Sequence, residues 1–202
     1  MSVSHGRVHS VQVGRSRLLR VGERVLRSAI GKQAVAGPVA VGPLGLAGDE
    51  QNDLSVHGGL SKAVYALPLQ HVAWWSAQRA AKTGSLVEAP LLPGLLGENL
   101  SLEAEGEAVI DEHSVWIGDR LQFDGGLVLR VTEPRQPCAK FNAVLGDEHA
   151  AKQMVQSARC GFYLALEAPG TLWAGQRFAL QPGARETSVA QALQHKAYKH
   201  LR

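Results

Sequence analysis

Trp116–Phe123 reads WIGDRLQF and Trp173–Leu180 reads WAGQRFAL, two segments of the form W-x-G-x-R. In each, a glycine turns the chain and an alternating run suited to a strand follows. Matching strand starts fit a closed or semi-closed barrel, whose strands repeat one local geometry. No repeat with a period of roughly 20–50 residues recurs, which excludes a solenoid.

Working outward, Arg120–Phe123 and Leu127–Thr132 flank Asp124-Gly125-Gly126, a strong hairpin signal. Phe162–Glu167 and Gln176–Leu180 read as a second strand pair around Pro169-Gly170. Val8, Val11 and Val13 mark a first strand. Ser28–Val35, Val39–Val41 and Lys62–Leu67 are further candidates, punctuated by Gly37, Pro38, Gly42 and Pro43. After Pro68 the period changes: Leu69, Val72, Ala73 and Ser76 share one face, which predicts a helix from Pro68 to Lys82 with Gly84 as its stop. Asp147 caps a short helix running to Ser157, and Ser188 with Gln191 forms a capping box that opens a C-terminal helix. The reading is a mostly β fold, a barrel over residues 1–180 with a few short α-helices, followed by a helical extension over 181–202.

Composition bounds the function. The chain has 202 residues, 45% hydrophobic and 19% charged, enough to bury a core. Its 22 glycines and 9 prolines suit a turn-rich β fold. A net charge of +3 and a pI of about 9.0 suit an anionic ligand but are too weak for a nucleic-acid polymer. Aromatics at 5% argue against a base-stacking surface. Two cysteines, Cys138 and Cys160, make no disulfide scaffold, four-cysteine zinc site or iron–sulfur cluster, so the expectation is a reduced, cytoplasmic protein. The polar start, MSVSHGRVHS, carries no signal peptide, and the longest apolar run, Ala34–Ala47, is short and broken by Pro38 and Pro43, so no membrane anchor is expected. Charge is uneven. Residues 1–35 hold Arg7, Arg15, Arg17, Arg20, Arg24, Arg27 and Lys32 against Glu23 alone, whereas residues 83–118 hold seven acids and no lysine or arginine. These are two solvated faces, or the acidic stretch is a docking face.

No GxGxxG, Walker A, HExxH, CxxC or GxSxG motif occurs. Three polar segments remain. GDEQNDLSVHGGLSKAV (Gly48–Val64) gathers Asp49, Glu50, Asn52, Asp53, His57 and Lys62 around Gly58-Gly59. Adjacent glycines let backbone N–H groups approach a ligand, and Lys62 adds positive charge, although a surface turn would read the same way. GENL (Gly97–Leu100) offers Glu98 and Asn99 to a heterocycle, a weak signal alone. In EPRQPCAKFNAVLG (Glu133–Gly146), Cys138 has Arg135 and Lys140 within three residues. Nearby cations favour a thiolate, which is both nucleophile and soft metal ligand. Pro134 and Pro137 rule out helix and stiffen the loop, aiming the sulfur. An inert, half-buried cysteine is the alternative. Cys160, with only Arg159 near, reads as packing.

These segments, with W-I-G-D between them, resemble the MOSC family, named for the C-terminal domain of molybdenum cofactor sulfurases. The likeness covers Val8 to Leu180. HGG-x-x-KAV and PRQPC-x-K are its specific motifs and GENL supports them. The resemblance implies a mostly antiparallel MOSC-type β-barrel, the molybdenum cofactor (molybdopterin) as ligand, and Cys138 as the thiolate on molybdenum. It also implies reduction of N-hydroxylated compounds, N-hydroxylated purine bases among them. Lys62, Arg135, Lys140 and the Gly58-Gly59 backbone would meet the phosphate, while Asp49, Asp53, His57 and Asn99 would match the pterin edge. Lacking flavin and nicotinamide motifs, the chain would take electrons from a separate reductase. Bacterial members generally continue past the barrel into a small helical region; here about 20 residues follow Leu180, enough for one helix. Two other functions use the same residues: a non-catalytic carrier of the cofactor, and a metal-free cysteine enzyme with His57 or His149 as base.

Overall fold

The computed structural model describes residues 3–52, 58–83 and 89–199. Alternation over SHGRVHSVQV makes a ten-residue strand, β1 (Ser4–Val13), which buries Val8 and Val11 and shifts register between Val8 and Ser10. An outlying hairpin follows, β2 (Arg17–Val21) and β3 (Arg24–Ser28), then short β4 (Gln33–Ala34), β5 (Val39–Gly42) and β6 (Gly45–Leu46). β7 (Val64–Pro68) is buried at every position and leads into α1 (Leu69–Thr83). β8 (Leu100–Ala104), β9 (Arg120–Phe123) and β10 (Val128–Pro134) precede α2 (Ala139–Leu145) and α3 (Ala150–Ser157). β11 (Phe162–Ala168), β12 (Gly170–Leu172), β13 (Arg177–Gln181) and α4 (Val189–Lys199) complete the chain.

The main sheet runs β13-β9-β10-β11-β7-β8-β1, and β1 pairs back onto β13 from Ser4↔Leu180 to Arg7↔Arg177, which closes it into a barrel. The expected mostly β barrel with short helices is therefore present. Its strands are antiparallel except β7 and β8, which run parallel (Ala66↔Leu100) because α1 carries the chain across between them.

The W-x-G-x-R echo has a structural basis. Gly118 (φ 93°) and Gly175 (φ 88°) take left-handed turns that this backbone favours glycine for. The next residue in each, Asp119 or Gln176, is buried and accepts a hydrogen bond from the tryptophan N–H three residues earlier, at 3.1 and 3.3 Å. The chain then enters β9 and β13, which are neighbours (Phe178↔Phe123, Leu180↔Leu121).

Other expectations need correction. β11 and β13 do not pair with each other: β11 lies between β10 and β7, and β13 between β9 and β1. Between them β12 leaves the barrel to pair with β5. Ser28–Val35 is not one strand; Ser28 ends β3 and only Gln33–Ala34 is extended and paired. Leu60–Lys62 is a 3-10 turn, so the strand expected from Lys62 starts at Val64. The capping box is present: Gln191 N–H donates to Ser188 Oγ at 3.2 Å and Ser188 N–H to Gln191 Oε1 at 2.9 Å. Val189, Ala190 and Leu193 of α4 are buried in the core the barrel shares. Among the described residues no helix is long and apolar enough to cross a membrane.

Candidate functional site

Pro134 ends β10, Pro137 keeps the following chain extended, and Cys138 (φ −147°, ψ 162°) becomes the N-cap of α2. The prolines thus exclude helix only up to Pro137; the helix begins one residue after the cysteine, not beyond a longer loop. The Cys138 carbonyl accepts the Phe141 N–H at 3.0 Å, which anchors the residue. Cys138 is partly exposed and lines an open cleft.

Arg135, only 4% exposed, lies three residues before the thiol. Its guanidinium stacks on Phe141 at 4.7 Å and on Tyr65 at 5.6 Å. Nη2 points at Cys138 Sγ, 3.8 Å away, and Nη1 at Met154 Sδ, 3.6 Å away. Among the described residues no carboxylate pairs with it. Burial opposes its charge, yet the neighbouring Tyr65 hydroxyl and Cys138 thiol hold its pKa above the ordinary arginine value. A buried cation without a carboxylate needs an anion, and the sulfur is the group placed to supply one.

Two phenols line the same wall, 5.5 Å apart. Tyr65 donates to the Cys160 carbonyl at 2.8 Å, and burial raises its pKa well above that of free tyrosine. Burial also pushes Tyr163 up to about 12, so both stay neutral. Behind them Glu98 is fully buried. Its Oε1 accepts the Gly94 N–H at 2.6 Å, its Oε2 has no partner among the described residues, and burial raises its pKa to about 7.

Asn99 is fully engaged in framework contacts. Nδ2 donates to the Gln12 carbonyl at 3.2 Å and to Asp49 Oδ2 at 2.9 Å, while Oδ1 accepts the Tyr65 N–H at 3.1 Å. Asp49 in turn accepts the Gly14 N–H at 2.8 Å and is ion-paired with buried Lys32. These two residues tie β1, the Asp49 loop and β7 together at the cleft wall. Lys62, which stands at the end of the 3-10 turn, reaches Glu133 Oε1 at 3.8 Å, and Glu133 Oε2 is bound by Lys196 of α4 at 2.5 Å.

The cleft therefore brings together Asp49, Lys62, Asn99, Arg135, Cys138 and Lys140 from the sequence candidates. Gly58 and Gly59 are not among its lining residues, and the Gly59 N–H is turned to Gln51 Oε1 at 3.3 Å. Asp53 and His57 lie outside the described residues. His149, the alternative base, is exposed beside Glu148 and does not line the cleft. Lys32, Tyr65 and Tyr163 do line it and carry no motif that marks them, and Gln51, inside the Gly48–Val64 segment, lines it too although it is not among the candidates drawn from that segment. Tyr65 and Tyr163 read as ordinary strand residues, and Lys32 is 17 positions from its partner. Cys160 is fully buried against the Gly161 carbonyl.

Among the described residues no three of His, Cys, Asp and Glu converge as a protein-only metal site. The donor set is instead one soft sulfur, an unpaired buried guanidinium and two lysines. This fits an anionic group that brings its own further ligands to the metal.

The MOSC domain profile matches residues 53–179. The chain is 32% identical to the protein YiiM of Escherichia coli over 165 residues, 82% of this chain and 69% of that protein. It is 30% identical to a Gibberella moniliformis protein named "Reductase" over 84% of this chain, which is 28% of the fungal protein. The crystal structure of YiiM from Geobacillus stearothermophilus superposes with a TM-score of 0.70 at 26% identity, covering 96% of this chain and 85% of that one.

Proposed function

Because the chain belongs to the MOSC domain family, we propose that it holds the molybdenum cofactor in the Cys138 cleft and reduces N-hydroxylated compounds to amines. N-hydroxylated purine bases are the substrate class. The observation that carries this reading is the Cys138 thiol, open to a cleft and 3.8 Å from a buried guanidinium that has no carboxylate. The fungal relative named "Reductase" supports the redox assignment.

The reaction is R–NHOH + 2 e⁻ + 2 H⁺ → R–NH₂ + H₂O: the N–O bond breaks and takes up two electrons, one proton forms the new N–H bond, and the other converts the departing hydroxyl to water. The molybdenum centre, when bound, supplies the two-electron, oxygen-accepting chemistry. Cys138 would hold it as a thiolate ligand, and Arg135 would balance the sulfur's charge from within the protein. Lys62 and Lys140 face the anionic end of the ligand. Tyr65 and Tyr163 present neutral rings to the cleft and exclude water from the sulfur's inner side. The electrons come from a separate reductase.

The test compares wild type, Cys138→Ala and Cys138→Ser, purified without oxygen from a host that makes the cofactor. Molybdenum and pterin are measured by mass spectrometry, and turnover of 6-N-hydroxylaminopurine is followed with reduced methyl viologen. Near-stoichiometric metal in wild type, with at least about a tenfold loss of metal and activity in both variants, is the expected outcome. Variants that keep metal and full activity would overturn the assignment. Bound cofactor without turnover in wild type would make the protein a carrier.

A further inference from the structure

Among the described residues of the acidic segment 83–118, most carboxylates are engaged within the fold. Glu103 pairs with Arg7 at 2.6 Å and Glu105 with Arg177 at 2.7 Å. Glu112 is buried against His71 at 2.7 Å, Glu98 is buried under the cleft, and Asp111 caps its own turn through the His113 and Ser114 N–H groups. Of the six acids described there, Glu107 alone is exposed without a partner among the described residues.

The opposite holds for the β2–β3 hairpin. Residues 15–27 carry Arg15, Arg17, Arg20, Arg24 and Arg27, no lysine, and one acid, Glu23. Register pairs Leu18 with Arg27 and Arg20 with Val25, so these four share one face of the two-stranded ribbon. All four are exposed, Leu18 by 71% and Val25 by 53%. The other face, with Leu19, Val21 and Leu26, is half-buried, and β2 packs on α2, the helix that Cys138 caps. On that outer face Arg20 has no partner among the described residues and Arg27 makes one contact, to Ser16 Oγ at 3.4 Å, while Arg24, opposite Val21, belongs to the other face. β3 ends at Ser28, and Ser28, Ala29 and Ile30 line the cleft.

We propose that the outer face of this hairpin docks the acidic surface of the protein that delivers electrons to the cleft. The inference rests on the reductase reading above. Two apolar side chains set between two exposed arginines, Arg20 and Arg27, match a carboxylate-rich protein surface: arginine forks bind carboxylates bidentately, and Leu18 and Val25 supply the dry centre. The patch is small, as in transient electron-transfer encounters, which are also steered by charge. The donor is a one-electron flavin or iron–sulfur carrier; two encounters supply the two electrons of the reaction, and its protons come from water. The hairpin's continuity with the cleft lining sets such a donor beside the site it reduces.

The probe is reduced flavodoxin, an acidic one-electron flavoprotein, with the cofactor-loaded chain as wild type, as Arg20→Glu/Arg27→Glu and as Arg20→Lys/Arg27→Lys. Calorimetric binding at low and high salt reads docking independently of turnover, and turnover with reduced methyl viologen reads the reductase assignment alone. Wild type is expected to bind at low salt and weaken as salt rises. The glutamate pair should bind about tenfold more weakly with a flatter salt dependence, the lysine pair should be intermediate, and viologen turnover should match in all three. Equal binding by wild type and the glutamate pair overturns the proposal, as does wild type with no affinity for flavodoxin at low salt. So does binding to anionic lipid vesicles or to duplex DNA that the glutamate pair abolishes while flavodoxin binding is unchanged. Absent viologen turnover with normal flavodoxin binding would instead fault the reductase reading.

Discussion

Glu98 ties pH to stability. Burial raises its pKa to about 7, above the unfolded carboxyl value near 4.5, so the folded chain binds the extra proton across that window. Stability then falls as pH rises from about 4.5 through 7, by up to on the order of 3 kcal/mol for a shift of this size. Urea unfolding at pH 5 and pH 8 should show this decline in wild type, and Glu98→Gln should flatten it; an unchanged slope in the variant assigns the effect to another group. Arg135→Gln should slow alkylation of Cys138 by iodoacetamide at neutral pH by about tenfold, since the cation nearest the sulfur is removed. Circular dichroism of the same sample separates that loss from unfolding. Arg135 and Cys138 were legible in sequence because both sit on one three-residue step. The phenols and Lys32 were not, since the barrel alone brings them to that sulfur.

Among the elements, β11 begins against a glycine that no other residue replaces. Gly161 has φ 68°, and a Cβ there would stand 2.4 Å from the Ala66 carbonyl oxygen and 2.7 Å from the Tyr65 ring. Gly161→Ala should cost more than about 3 kcal/mol and displace the tyrosine wall. Gly118→Ala meets nothing within 4 Å and should cost only about 1–2 kcal/mol for its φ of 93°. Chemical denaturation of the two side by side checks the contrast. Local signals gave α1, the β9–β10 hairpin and the Ser188 capping box, because turn residues and helical period are short-range. The β2–β3 hairpin escaped notice although Gly22 turns it with φ 60°: its outer positions are arginine and aliphatic alike, so polar–apolar alternation is absent.

For the whole molecule, the C-terminal helix belongs to the barrel's cooperative unit. Leu193 is fully buried in the shared core, so Leu193→Ala should lower stability by about 2–5 kcal/mol and shift one unfolding transition rather than create a second. Calorimetry distinguishes the two results. A closed or semi-closed barrel could be guessed from two similar strand starts, but neither its β1–β13 seam nor the parallel β7–β8 pair could, because nothing in a strand's own residues states which strand neighbours it or in what direction.

Asn99 holds the Gln12 carbonyl, the Asp49 side chain and the Tyr65 N–H at once, and the cleft it braces is walled by residues from Ser28 to Tyr163. Such a pocket has no precursor in any contiguous stretch of chain. Its walls are complete only when strands distant in sequence have come together, contacts of high sequence separation. The proposed cofactor would therefore enter through the mouth of a folded barrel rather than bind a nascent segment.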